Sequence, residues 1–219
     1  MFDYEVLRLI WWLLLGVLIV AFVIMDGFDL GVTVIFRFVA KNKHERHLML
    51  SAIEPVWEGN QVWLVLGIGA VFAAWPALYA AFFSGFYGVV FGLLVCLILR
   101  PVGFNFREKV KPQYQALWDW SLCLGAAFAT LLFGLLIGNV FSGIPFQYDQ
   151  DLRLHFEPAI NHYFNSFSIL CGFISLSMFV MHGAVYAALK LRGRLQQDAA
   201  IIAQLAALSL FVLFLLGGF

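Results

Sequence analysis

Charge is what this chain has least of. Only 12% of its 219 residues are Asp, Glu, Lys or Arg, about half the share usual in a soluble domain. With 63% hydrophobic residues and a mean hydropathy of +0.92, that scarcity excludes an ordinary soluble fold. Cysteine is also rare. Cys96, Cys123 and Cys171 each lie inside an apolar run and none has a CxxC partner. They read as small buried apolar residues and carry no signal about redox compartment. Period-2 alternation is missing from the apolar runs, which excludes a β-barrel. No glycine-rich phosphate loop follows a strand, no nucleophile–base arrangement stands out, and no segment is of low complexity. Basic residues lie where membrane topology puts them, so nucleic acid binding has no support.

Long apolar runs are what the chain does have. They recur at about 20 residues, the length a helix needs to cross hydrocarbon, and the backbone must satisfy itself there, so they are helices. The first run, Ile10 to Phe38, carries acids and lacks a small-residue cleavage site. It is a retained span and not a signal peptide. Its length predicts tilt or protrusion, and Trp11 and Trp12 sit where an interfacial anchor belongs. A second span is expected from Ser51 to Trp75-Pro76, with Pro55 in its first turn. A third runs from Ala77 to Leu99 and is stopped by Arg100-Pro101. The others are expected at Trp118 to Phe141, Tyr163 to Leu189, and from about Asp198 onward. Gly88 with Gly92, and Gly134 with Gly138, have the small-xxx-small spacing of close helix packing. The expected fold is an all-α polytopic bundle of about six spans, one transmembrane domain over 1–219. The run is still apolar at Phe219, so 1–219 is expected to be the N-terminal portion of a longer subunit.

The basic residues set the orientation. If the N-terminus lies on one face, eleven of the thirteen Lys and Arg fall on the other: Arg37, Lys41, Lys43, Arg46, Arg100, Arg107, Lys109, Lys111, Lys190, Arg192 and Arg194. Only Arg8 and Arg153 share the N-terminal side. The positive-inside rule makes the rich face cytoplasmic and the N-terminus periplasmic.

Met25-Asp26-Gly27-Phe28-Asp29-Leu30-Gly31 breaks the first apolar run. Carboxylates at membrane depth are costly and usually functional. Asp29 lies about 14 Å from the cytoplasmic end of its span, and Glu58 about 10 Å from the same side in the next, at 1.5 Å per residue. The two are therefore expected at similar depth on facing helices. Asp26, Asp29 and Thr33 share one face; Glu54, Glu58 and Gln61 share another, with Asn60 beside them. The strip suits a proton relay. Ion pairing with Arg37 or Arg100, or a cation site, remains open. Arg100 is placed to pair with Glu58 or Asp29, or to snorkel. Asn139 and His182 read as polar helix contacts. Of five histidines only His182 lies within a span. His44 and His47 lie in the first cytoplasmic loop and His155 and His162 in the outer one. No bis-histidine haem site and no metal site by this chain alone is expected.

The chain resembles subunit II of the cytochrome bd-type quinol oxidases, including the cyanide-insensitive branch, over essentially its whole length. Asp3-Tyr4-Glu5, Trp11-Trp12, Asp26-Gly27-Phe28-Asp29-Leu30-Gly31, Trp57-Glu58-Gly59-Asn60-Gln61-Val62-Trp63, Phe72-Ala73-Ala74-Trp75-Pro76, Phe83-Ser84-Gly85-Phe86-Tyr87 and Arg100-Pro101-Val102-Gly103-Phe104 carry the resemblance. It implies a haem-poor subunit, not catalytic alone, in an electrogenic heterodimer of the bacterial cytoplasmic membrane. That heterodimer oxidises quinol near the outer face and reduces oxygen to water with cytoplasmic protons. Haem b and haem d would be liganded chiefly by subunit I, and a bound quinone and small accessory subunits are compatible with it. The resemblance places the proton-route acids on Asp29 and Glu58 and puts Arg100 on a motif position; the shared faces add Asp26, Asn60 and Gln61 to the expected path, with Arg100, Trp57 and Trp63 in support. Some members carry aspartate at the position of Glu58 and histidine at that of Val56. From the residues alone, a proton- or cation-coupled transporter and a purely structural assembly subunit stand as alternatives.

Overall fold

The computed structural model describes residues 3–143, 146–150, 154–156 and 163–217. Eight helices account for nearly all of them: α1 (Tyr4–Val39), α2 (Lys43–Ser51), α3 (Trp57–Ala74), α4 (Pro76–Gly85), α5 (Tyr87–Arg107), α6 (Pro112–Ser142), α7 (Ser166–Lys190) and α8 (Arg194–Gly217). Between α6 and α7 a small hairpin, β1 (Phe146–Tyr148) and β2 (Leu154–Phe156), pairs antiparallel with Phe146 opposite Phe156. The sequence pattern had no strand there. The rest of the expected outer loop, with Arg153, Glu157 and His162, lies outside the described residues.

Five helices are long and apolar enough to cross a membrane: α1, α5, α6, α7 and α8. The second expected span, the one of the six that is not among these five, is α3, which has only 18 residues and opens on the polar Glu58, Asn60 and Gln61. The 36 residues of α1 extend about 54 Å, well beyond one hydrocarbon core. Its N-terminal half displays Leu9, Leu13, Val17 and Val20 outward, and α8 displays Leu205, Leu208 and Phe211. Such surfaces are at home in lipid. The helix α1 is the axis of the bundle, packing on α3, α6 and α7, while α5 lies against α6 and α8 against α7.

Three expected boundaries shift, each for a local reason. The stretch read as the first cytoplasmic loop is helix α2, because the Asn42 side chain accepts the Glu45 N–H at 2.9 Å and caps it. Ser51 ends that helix and Pro55 sits in the turn before α3, not in a first helical turn. The third span begins later and runs deeper than expected. Pro76 starts the short α4 at its first position, where no N–H is needed, and the chain breaks at Phe86 before α5. Pro101 does not stop α5; the helix continues to Arg107. Membrane helices tolerate an internal proline, whose missing N–H frees the carbonyl four residues earlier; separately, the Asn105 side chain donates back to the Pro101 carbonyl at 2.9 Å.

At the cytoplasmic edge, Arg194 reaches Glu45 at 2.5 Å and also pairs with Asp198, joining α8 to α2. That guanidinium, with the Lys41 amide at 2.7 Å, holds the Glu45 carboxyl below its ordinary value. The clasp is therefore complete at neutral pH and lost as pH falls through that depressed value. At the outer edge, Asn139 donates to the Leu135 and Tyr163 carbonyls, both at 2.8 Å, and the Tyr163 hydroxyl donates to the Gly85 carbonyl.

Backbones touch where α1 crosses α7. A Cβ on Gly31 would land on the Phe179 carbonyl oxygen, and one on Gly183 would land on the Gly31–Val32 peptide. Gly134 and Gly138 lie equally close to α7 at Cys171 and Ser168. Gly88 meets nothing within 4 Å and Gly92 only Leu132 at 3.7 Å, so the first glycine pair does not mark a close crossing. Substituting Gly31→Ala is expected to destabilise the bundle by about 2 kcal/mol, the cost typical of overpacking, whereas Gly88→Ala leaves it unchanged. Thermal unfolding of the purified membrane protein, followed by intrinsic fluorescence, compares the two; equal midpoints would contradict the crossing.

Candidate functional site

Asp26 and Asp29 are both fully buried, three residues apart on the face of α1 that meets α3 and α5. Opposite them, Arg100 of α5 is 2% exposed. Its Nη1 lies 2.7 and 3.0 Å from the two carboxylate oxygens of Asp26, and its Nη2 lies 3.7 Å from Asp29 Oδ2. Asn60 of α3 donates to the same Asp29 oxygen at 2.8 Å. Trp57, one turn earlier, lies with its ring 5.5 Å from the Arg100 guanidinium and stacks on Phe104. The Thr33 hydroxyl bonds back to the Asp29 carbonyl at 2.7 Å. Thus α1 supplies the acids, α5 the cation, and α3 an amide and an aromatic lid.

The cluster has more acid than base. Two carboxyls face one guanidinium, and the group is electrically neutral when it holds a single proton. Asp26 is committed to Arg100 through both oxygens. Asp26 Oδ1, Asp29 Oδ1, Arg100 Nε and Arg100 Nη2 are buried and have no hydrogen-bond partner among the described residues, although Asp26 Oδ1 lies 2.7 Å from Arg100 Nη1. Unmet polar atoms at this depth are expensive, and Asp29 Oδ1 is the carboxylate oxygen of the two acids with neither a hydrogen bond nor an ion contact among the described residues.

Glu58 is not part of this group. It is exposed, and Asp29 meets Asn60 in its place. Helix α3 begins at Trp57, so Glu58 and Asn60 lie about 200° apart around it. With Asn60 and Trp57 turned into the bundle, Glu58 must face outward. Glu54 is exposed in the turn before α3 and shares no helix face with Glu58. Gln61 and Trp63 are half-buried, the latter against the core. Arg100 reaches the acids from inside α5, which continues past Pro101 to Arg107 instead of ending at Leu99–Arg100.

A second buried ion group was not foreseen. Asp119 of α6 is 1% exposed and pairs with Arg46 of α2 at 2.6 Å and with Arg107 of α5. Glu108 lies 3.9 Å from Arg107 and 2.9 Å from His47. The available signal was Trp118-Asp119-Trp120, a carboxylate between two tryptophans at the basic face. This group ties three helices together at the cytoplasmic edge, and both oxygens of Asp119 are engaged.

Among the described residues no group of three or more His, Cys, Asp and Glu could hold a metal ion. His182 is half-buried, and its Nε2 lies 2.9 Å from the Ile24 carbonyl; Cys123 donates to the Val34 carbonyl at 3.1 Å. His155 and His162 lie outside the described side chains. An apolar cavity of about 430 Å³ opens between α1, α3, α4, α5 and α6, lined by residues such as Phe22, Leu64, Phe82, Leu93 and Leu136.

These features define a polytopic helical membrane protein with a charge-compensated acid site inside its bundle. The chain belongs to the cytochrome bd terminal oxidase subunit II family, whose model matches residues 7–219. It is 44% identical over its full length to the cytochrome bd-I ubiquinol oxidase subunit 2 of Escherichia coli (strain K12). It is 42% identical to a probable cytochrome oxidase subunit 2 of Haemophilus influenzae. Over 196 residues, 89% of this chain, it is 36% identical to the cytochrome bd ubiquinol oxidase subunit 2 of Bacillus subtilis. It spans 58% of the length of the first two relatives and 57% of the third. Membership and the apolar helices make it a multi-pass protein of the bacterial cytoplasmic membrane.

Removing the cation should be worse than removing cation and acid together. Arg100→Met leaves two buried carboxyls without a countercharge and is expected to cost about 3–5 kcal/mol. Adding Asp26→Asn to it should recover part of that loss. Folded yield and thermal midpoint of the three proteins test this; a double variant no better than Arg100→Met would disprove the pairing.

Proposed function

We propose that this chain forms part of the haem-poor subunit II of a membrane quinol:oxygen oxidoreductase, supporting subunit I and supplying cytoplasmic protons for oxygen reduction. The observation that carries the proton role is the buried pair of carboxyls sharing one guanidinium, with Asp29 Oδ1 unpartnered. The relatives are named as oxidase subunits, which favours this reading over a transporter.

Each residue has a distinct part in it. Asp29 takes up and releases the proton. Asp26 stays bound to Arg100 and fixes the local charge balance. Asn60 orients the Asp29 carboxyl, and Trp57 keeps water from the guanidinium. Glu58, on the outer side of α3, stands at the entry and meets the partner subunit or the solvent channel beside it; Gln61 lies next to it. Trp63 packs the wall behind. The route therefore runs around α3, not directly between two facing acids.

Haem b and haem d, held chiefly by subunit I, would carry electrons from quinol to oxygen. No step is assigned to this chain's own residues through haem. A bound quinone would find in the apolar cavity a volume within the range of small-molecule sites and a lining suited to its tail. Subunit I, quinol, oxygen, the bilayer and any small accessory subunits complete the set of partners.

A structural reading competes, because Asp26 and Arg100 already make a close pair. The two separate on one measurement. In the assembled oxidase, Asp29→Asn is expected to lower quinol-dependent oxygen consumption at least about tenfold, within the range for loss of a positioned proton-transfer group, with haem absorbance per complex unchanged. Glu58→Gln should reduce turnover as well. Normal turnover in both variants, with normal haem content, would make the cluster a scaffold and end the proton reading.

A further inference from the structure

Four arginines lie within the long helices that carry the two buried ion groups: Arg8, Arg37, Arg100 and Arg107. Arg8, Arg100 and Arg107 have carboxylate partners. Arg37, in the last turn of α1, has none within 4 Å among the described residues. Its Nε is sealed from solvent and has no hydrogen-bond partner. What it does have is the ring of Trp120 at 5.2 Å. The neighbouring carboxylate, Asp119, is held by Arg46 and Arg107 and has no oxygen left for it. A guanidinium offers five donors, and leaving them unmet in a partly dry place is costly.

The surroundings indicate what meets them. Arg37 is at the cytoplasmic end of α1, where the basic excess lies. Trp120 is 40% exposed, and Phe38, 66% exposed, packs edge-on against it. From Trp120, Leu124 and Phe128 follow at four-residue intervals on α6, both exposed, so the three form one apolar stripe toward the membrane centre. A cation and an interfacial tryptophan thus sit at the head of a greasy track.

We infer that Arg37 and Trp120 bind the phosphate of an anionic phospholipid in the cytoplasmic leaflet, with an acyl chain along Trp120, Leu124 and Phe128. Basic sites beside transmembrane helices on this side suit such headgroups. The guanidinium meets the phosphate oxygens, and the tryptophan ring covers its other side.

The test uses the assembled oxidase, delipidated in detergent, with phosphatidylglycerol titrated and bound lipid counted by native mass spectrometry. Arg37→Gln is expected to weaken the tightest phosphatidylglycerol site about fivefold, the effect of about one basic residue at a membrane surface. Trp120→Leu should weaken it about threefold, the scale of one cation–π contact. Trp120→Leu carries the test alone if Arg37→Gln does not assemble. Phosphatidylcholine should bind more weakly than phosphatidylglycerol, and millimolar inorganic phosphate should not displace the lipid. Unchanged phosphatidylglycerol binding in the assembled variants would overturn the site. Equal binding of phosphatidylcholine would overturn its need for an anionic lipid, and displacement by inorganic phosphate would show a free-anion site instead.

Discussion

The pairing of Arg100 with Asp26 and Asp29 is the constraint around which the cytoplasmic half of the bundle is arranged. Three ionisable groups at membrane depth are tolerable only if they compensate one another. That requirement fixes the rotation of α1, which must turn its acidic face inward, and of α5, which must carry a long side chain back into the bundle from a point just before a proline. It also fixes the start of α3, whose first turn must bring both Trp57 and Asn60 to the cluster. Once these are set, Glu58 has no inward position left.

A second ionic tie sits nearer the surface and has a different character. Asp119 is saturated by Arg46 and Arg107, so it has charge balance and no spare oxygen. The deeper cluster leaves one oxygen of Asp26 and one of Asp29 without a hydrogen bond. One arrangement saturates its acid while it locks α2, α5 and α6 together; the other does not saturate its acids.

Much of this was legible in the sequence. The membrane class and the helical fold follow from hydropathy, and two acids in an apolar run marked Asp26 and Asp29 as interior groups that Arg100 could meet. Helix ends were less legible, because Pro101 looks like a stop and is tolerated inside α5, and because capping by Asn42 makes a helix of a charged loop. The error at Glu58 came from treating Glu54 to Gln61 as one continuous helix. The turn at Pro55 resets the rotation by starting α3 at Trp57 rather than at Ser51, and with Asn60 turned inward the two-residue step back to Glu58 lies about 200° around the helix. Asp119 escaped notice because its partners lie 73 and 12 residues away, and a surface-edge carboxylate shows its burial only when the helices are assembled.

The separation of Arg100 from its acids along the chain bears on biogenesis. Helix α1, carrying Asp26 and Asp29, emerges from the ribosome first. Their countercharge is still about 70 residues from synthesis, an interval of roughly 4–14 seconds at bacterial and eukaryotic elongation speeds of about 5–20 residues per second. During that interval the acidic face of α1 has no guanidinium to turn toward, and a lipid-facing carboxylate is unfavourable. The first helix therefore cannot settle into its final rotation when it enters the bilayer. It is held at the insertion machinery or in a shallower position until α5 arrives, so the order of synthesis makes the third crossing the step that commits the first.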